Sequence, residues 1–174
     1  MIDLDEFDLN ILRALQRDAS LTADALAESV HLSRNACWRR MKRLEESGYI
    51  KGRVALVDAG KVGLGLLAVI LVRTSRHDRE WLAAFRSAIQ SMPQITAAFR
   101  MSGDLDYVLH ARVADVKAYD ELYQRLIDKV PLTDVSASFV MEEIKETAEL
   151  PLDLARVRRQ APSGAPVLSA GGTP

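Results

Sequence analysis

Two groups of side chains in this chain have types and spacings that could do chemistry. The first is basic: Arg34, Arg39, Arg40, Lys42, Arg43, Lys51 and Arg53 face only Glu45 and Glu46 between residues 34 and 53, a local net charge of +5. Guanidinium and ammonium groups at three- and four-residue intervals line one side of a helix and suit phosphates. A solvated basic helix face is the plainer reading. The second group is acidic: Asp104 and Asp106 flank Leu105 beside Gly103. Two such carboxylates could accept an ammonium group while nearby backbone amides hold a carboxylate, together the two ends of a free amino acid. An ordinary Gly-Asp hairpin turn is the alternative. Acid and base chemistry by the same pair lacks support, because no nucleophile and base pair, phosphate loop or metal cluster accompanies it.

Composition narrows the choice. Cys37 is the single cysteine and cannot form an internal disulfide, and His31, His77 and His110 are scattered without metal-ligand spacing, so neither metal nor cofactor is expected. The net charge of -1 hides a strong polarity, since residues 1–28 carry two arginines against seven carboxylates, a local -5. With 174 residues, 48% hydrophobic and 27% charged, the chain can form one medium domain or two small ones. No apolar run approaches the ~20 residues of a membrane helix. The acidic start MIDLDEFD is unlike a signal peptide, so a cytoplasmic protein is expected.

Three helices are predicted around the basic cluster. In residues 5–18, Phe7, Leu9, Ile11, Leu12 and Leu15 include the i, i+3, i+4 stripe, with acids in the first turn where the macrodipole favours them. Thr22 caps a short second helix carrying Ala25, Leu26, Ala27 and Val30, which stops at His31 and Leu32. Ser33 caps a third that runs to Ser47 and ends at Gly48. On this third helix Cys37, Met41 and Leu44 share the core face and Trp38 lies at its edge, while Asn35, Ala36, Arg39, Lys42 and Arg43 take the opposite side. An exposed helix bearing amide and guanidinium groups is what major-groove reading requires. The helices have helix-turn-helix spacing, and residues 49–57 are predicted as a following strand. His31 is read as a turn residue at positive φ. Cys37 is read as a small core hydrophobe, with a redox switch as the alternative.

Beyond residue 63 the pattern changes. Residues 64–72 form a nearly continuous apolar run that suits a buried strand, and 79–92 return to helical spacing before Pro93. Residues 95–101 and 107–113 are strands joined by the turn at 102–106, 116–130 a second helix, and 135–144 the last strand. The order βαββαβ is the split ferredoxin-like arrangement, with both helices on one sheet face and the other bare. A second copy would cover that face, so a homodimer is expected. The ending QAPSGAPVLSAGGTP is rich in Pro, Gly, Ala and Ser, and 152–174 is expected to be a disordered tail.

The stretch LDEFDLNILRALQRDASLTADALAESVHLSRNACWRRMKRLEESGYIKG, the turn SGDLDY and the strand SFVMEEIK resemble, in order and spacing from residue 2 to about 151, the Lrp/AsnC family of amino-acid-responsive transcription regulators. The resemblance implies an α+β protein. A winged helix-turn-helix DNA-binding domain would span 1–60, and a ferredoxin-like effector-sensing and oligomerisation domain 61–151. Dimers would assemble to tetramers or octamers. DNA contacts are then expected from Ser33, Arg34, Asn35, Ala36, Arg39, Arg40, Lys42 and Arg43 of the third helix. Effector contacts are expected between subunits from Met101, Gly103, Asp104, Leu105, Asp106, Tyr107, Thr133 and Ser136, with Tyr107 either walling the pocket or packing in the sheet. Within the family, ACWRRMKRLE, KVGLGL and SFVMEEIKETAELPL resemble the branch that regulates cysteine detoxification, which implies L-cysteine as effector. The sirohaem decarboxylases share this fold and are catalytic, an alternative that leaves the basic third helix without a use.

Overall fold

The structure, a computed structural model, describes residues 4–154. Its contacts divide the chain into two units, Met1–Ala55 together with the stretch from Glu146, and Leu56–Lys145.

In the first unit, helix α1 (Glu6–Arg17) starts at a reciprocal cap. The Asp5 carboxylate accepts from the Asp8 N–H at 2.9 Å, and the Asp8 carboxylate accepts from the Asp5 N–H at 3.1 Å. Two N–H groups that the helix itself cannot satisfy are thereby bonded. Helix α2 (Ala23–Ser29) is capped by Thr22, and α3 (Arg34–Glu46) by Ser33, whose hydroxyl accepts from the Ala36 N–H at 3.3 Å. Between them His31 adopts φ 56°, as a turn residue must here, and Gly48 ends α3 at φ 75°, where a side chain would be strained. Leu9, Ile11, Leu26, Ala27, Val30, Cys37 and Leu44 are buried in one core. Burial pushes the Cys37 thiol up, which keeps it protonated and favours its reading as a core hydrophobe.

The same core receives Leu152 from the far end of the chain. The Gln16 side chain donates to the Leu150 carbonyl at 3.3 Å and accepts from the Leu150 N–H at 2.7 Å. Arg17 meets Glu149 at 3.0 Å, Arg13 meets Asp153 at 2.6 Å, and Leu152–Leu154 form a 3-10 turn. Residues 146–154 therefore pack with the N-terminal unit, although 146–151 close the expected sensing domain in sequence, and 152–154 are ordered where a disordered tail was expected. One leucine docking beside hydrogen-bonded backbone leaves no periodic signature to read. The remainder of the expected disorder, 155–174, lies outside the described residues.

The second unit is a four-stranded antiparallel sheet in the order β2-β3-β1-β4. Its strands are β1 (Leu66–Arg73), β2 (Ile95–Arg100), β3 (Tyr107–Val113) and β4 (Asp134–Phe139), and its helices α4 (Arg79–Gln90) and α5 (Val116–Lys129). This is the ferredoxin-like order expected from the sequence. Alternation along the strands sends Ala68, Ile70, Val72, Leu109, Ala111 and Val113 under Trp81, Phe85, Leu122 and Leu126 of the helices. The intervening Leu67, Val69, Leu71, Val108 and His110 lie on the opposite face and are half-buried.

Two expected strands differ. Residues 51–58 form no strand and have no ladder partner among the described residues, and Val54, Leu56 and Val57 are exposed. A strand requires a neighbour to accept its hydrogen bonds, and the chain's own sheet offers none there. The last strand stops at Phe139, not at residue 144, because its ladder follows β1 from Arg73↔Asp134 to Ala68↔Phe139. One further bond joins the Val140 N–H to the Leu67 carbonyl, and Met141 and Ile144 are exposed beyond it.

Candidate functional sites

The first site is the outer face of α3. Asn35 and Arg39 project from it, exposed and without a partner among the described residues. Lys42 is exposed, with its ammonium 3.7 Å from Glu46 and over the Trp38 ring at 5.4 Å. Arg34 is exposed and meets Asp24 at 3.3 Å, Ala36 is half-buried, and Ser33 is occupied as the cap. Arg40 and Arg43 differ from expectation. The Asp8 carboxylate has no solvent exposure, and it accepts from Arg40 at 2.9 Å and from Arg43 at 2.6 Å, while Asp5 accepts from Arg40 at 2.7 Å. Arg40 is thus spent inside the unit, whereas Arg43 keeps 44% of its side chain exposed and can still present donors outward.

The physical cause is the cap of α1. Asp5 and Asp8 are drawn to its first turn by unpaired N–H groups, and α3 crosses that turn. Burial pushes the Asp5 carboxyl up, yet the Asp8 N–H and the Arg40 guanidinium outweigh it and hold the group below its ordinary 3.8. Burial likewise pulls Arg40 down, and its hydrogen bonds to Asp8 and Asp5 more than reverse this. The opposed charges of residues 1–28 and 34–53 therefore partly cancel in space, which leaves Arg39 as the unpaired guanidinium of α3 among the described residues.

The second site is one end of the sheet, where three loops meet. Gly103 takes φ 112°, a conformation that favours glycine, and closes the β2–β3 turn. Asp104 is exposed and its carboxylate has no partner among the described residues. Its backbone carbonyl accepts from Arg73 Nε at 3.0 Å, and Arg73 Nη1 also meets Asp134 at 3.1 Å. Thr133 Oγ1 accepts from the Ser75 N–H at 2.8 Å, which ties the α5–β4 loop to the segment after β1. Ser136 lies opposite Leu71 on β4, exposed, and Met101 is exposed at the end of β2, with Leu105 half-buried in the turn. The seven residues Met101, Gly103, Asp104, Leu105, Asp106, Thr133 and Ser136 therefore belong to this end of the sheet or its loops.

Asp106 and Tyr107 carry structural duties. The Asp106 carboxylate accepts from the Thr74 N–H at 2.8 Å and lies 3.9 Å from His77 Nε2. Tyr107 is buried among rings, with centroids 4.5 Å from Phe85 and 5.8 Å from Trp81, so it packs in the sheet on the helix side. Sequence reasoning missed the segment from Arg73 to His77, which bonds to Asp104, Asp106, Thr133 and Asp134. Its one signal was an arginine closing an apolar strand, and nothing local tied it to Asp104, 31 residues away.

Comparison with known proteins identifies the two domains that carry these candidate sites. A family model for a winged helix-turn-helix DNA-binding domain matches residues 4–51, and one for the Lrp/AsnC ligand binding domain matches residues 67–150. The DNA-binding transcriptional activator DecR of Escherichia coli (strain K12) is 46% identical over 151 residues, which cover 86% of this chain and 99% of the relative. The glutamate uptake regulatory protein of Zymomonas mobilis is also 46% identical, over 86% of this chain and 91% of its own. Among solved structures, a transcriptional regulator from Neisseria meningitidis in complex with L-Met superposes with a TM-score of 0.82 at 35% identity, over 86% of this chain and 97% of that one. This chain belongs to the Lrp/AsnC family of transcription regulators, with an N-terminal DNA-binding domain and a C-terminal ligand-binding domain.

Proposed function

We propose that this protein is an amino-acid-responsive regulator that reads duplex DNA through Asn35, Arg39, Lys42 and Arg43 of α3. A small amino acid, L-cysteine, binds at the sheet end formed by Met101, Gly103, Asp104, Leu105, Thr133 and Ser136. The observation that carries the reading is the Asp104 carboxylate, without a partner among the described residues, on a glycine turn whose backbone is tied to Arg73 and whose neighbouring loops are joined by the Ser75–Thr133 bond. A carboxylate on a tied backbone, with no existing partner to give up, is available to an ammonium group. Cysteine as effector draws support from the resemblance of the sequence to the cysteine-detoxification branch and from a relative solved with L-Met, another sulfur-containing amino acid. The protein works as a homodimer through the open sheet face, whose Leu67, Val69, Leu71 and Val108 offer apolar surface to a second copy. An effector shared between subunits then changes assembly or DNA affinity by favouring one arrangement, commonly by about 1–3 kcal/mol.

A thermal-shift screen of the twenty amino acids tests this. A ligand of the folded state adds about 2.7 kcal/mol of stability at a hundredfold excess over its dissociation constant. L-cysteine is expected to raise the melting temperature of the parent protein and to leave Asp104→Ala unmoved, with basal DNA binding of the variant intact. A response undiminished in Asp104→Ala would refute the site.

A further inference from the structure

We propose that Trp38 is a sequence-reading residue of α3, whose indole enters the major groove beside Asn35 and Lys42 and takes the C5-methyl group of a thymine. The proposal rests on α3 being the DNA-reading helix of the preceding section. Sequence spacing placed Trp38 at the edge of the core stripe, yet 53% of the residue is exposed and it takes no part in the packed core that holds Cys37, Met41 and Leu44. At 100° per residue it lies about 60° around the helix from Asn35 and about 40° from Lys42, and so borders the polar reading face. The chain itself contacts one face of the ring: the Lys42 ammonium stands over it at 5.4 Å, and Glu46 lies 3.7 Å from that ammonium on the next turn.

Exposed indole on an otherwise polar helix is unfavourable in water, so a partner that removes it from water is strongly favoured. In the major groove the donors and acceptors of the bases match Asn35 and Arg39, and the apolar feature among the base edges is the thymine methyl. Phosphates offer nothing of that kind. Phe7, also exposed on this unit, is a contrast: the Arg40 guanidinium covers it at 5.4 Å, on a residue already committed to Asp5 and Asp8.

The test uses the full chain and a duplex enriched from a random pool by the parent protein. Replacing each thymine of that duplex in turn by deoxyuridine removes only the methyl group. At one position per half-site the parent should lose about three- to fivefold in affinity, the size of one buried methyl contact. Trp38→Ala, which should melt like the parent because the side chain is exposed, should bind the thymine duplex more weakly and be indifferent to that replacement. Indole emission should change on DNA binding in the parent and not in Trp38→Phe, since the other tryptophan, Trp81, is buried in the ligand-binding unit. If no duplex is enriched, the DNA-reading function falls and this inference with it. If one is enriched but no uracil position weakens the parent, or Trp38→Ala feels the replacement equally, the assignment of Trp38 alone is wrong. A change of oligomeric state in Trp38→Ala with unaltered thymine preference would likewise overturn it in favour of a contact between copies.

Discussion

Asp8 is where the competing demands on single residues are plainest. Its carboxylate caps α1, is shut off from water, and holds Arg40 and Arg43 of α3. Asp8→Ala should destabilise the protein by about 2–4 kcal/mol, somewhat less than for a fully buried pair because both arginines retain some exposure. Thermal or urea melts would measure it, and a loss under 1 kcal/mol would contradict the clamp. The neighbouring arginines should separate by role. Arg39→Ala should leave the melt unchanged and weaken specific DNA binding roughly tenfold or more, whereas Arg40→Ala should chiefly lower stability. Equal effects of the two on DNA affinity, at equal stability, would dissolve the distinction.

At the scale of elements, the cap of α1 sets an acid limit. The folded-state pKa of Asp5 is depressed, so its contribution is present above the ordinary value of 3.8 and is lost as pH falls through the folded value. Asp78, which caps α4 by accepting from the Trp81 N–H and pairs with Arg76, is depressed for the same kind of reason. The melting temperature should therefore be flat from neutrality down to about pH 5 and fall below about pH 4, and Asp5→Asn should shallow that fall. The returning segment makes a second prediction. Truncation after Lys145 removes Leu152 from the N-terminal core together with both Gln16 bonds, and should cost that unit about 2–3 kcal/mol, most of it from the leucine. Truncation after Leu154, which keeps these contacts, is the reference. Identical melts for the two truncations would show that the segment does not hold α1.

For the whole molecule, the issue is how one chain of ordinary composition both reads DNA and senses a ligand. The division into two units gives each task its own core, so a change at Asp104 need not disturb α3. Coupling between them is proposed to run through assembly. Leu71 lies on the sheet face that carries no helix, so Leu71→Asp should leave the monomer fold intact, since the side chain is outside the helix-side core, and should reduce the oligomer. Light scattering would read the mass, and a parent protein that is already monomeric would end the assembly proposal.

Local pattern in the sequence sufficed for the five helices and four strands of the described residues and their ferredoxin-like order, because caps such as Thr22 and Ser33 and alternation such as Ala68, Ile70 and Val72 act within a few residues. The two candidate sites were legible as clusters for the same reason: α3 carries its basic residues within ten positions, and the Gly103 turn brings its acids together within four. Tertiary structure alone decided which members are free. Arg40 is withdrawn by carboxylates 32 and 35 residues away, Tyr107 by the ring of Phe85, and Asp106 by a backbone amide at Thr74. It also decided where the chain ends its elements, since residues 51–58 lack a strand to pair with and β4 leaves β1 after Phe139, with one further bond from Val140 to Leu67. Spacing in a sequence reports what a residue's own element does with it. Whether a charge is spent or left to meet a ligand depends on which distant element the fold lays across it, and on whether burial makes that pairing obligatory.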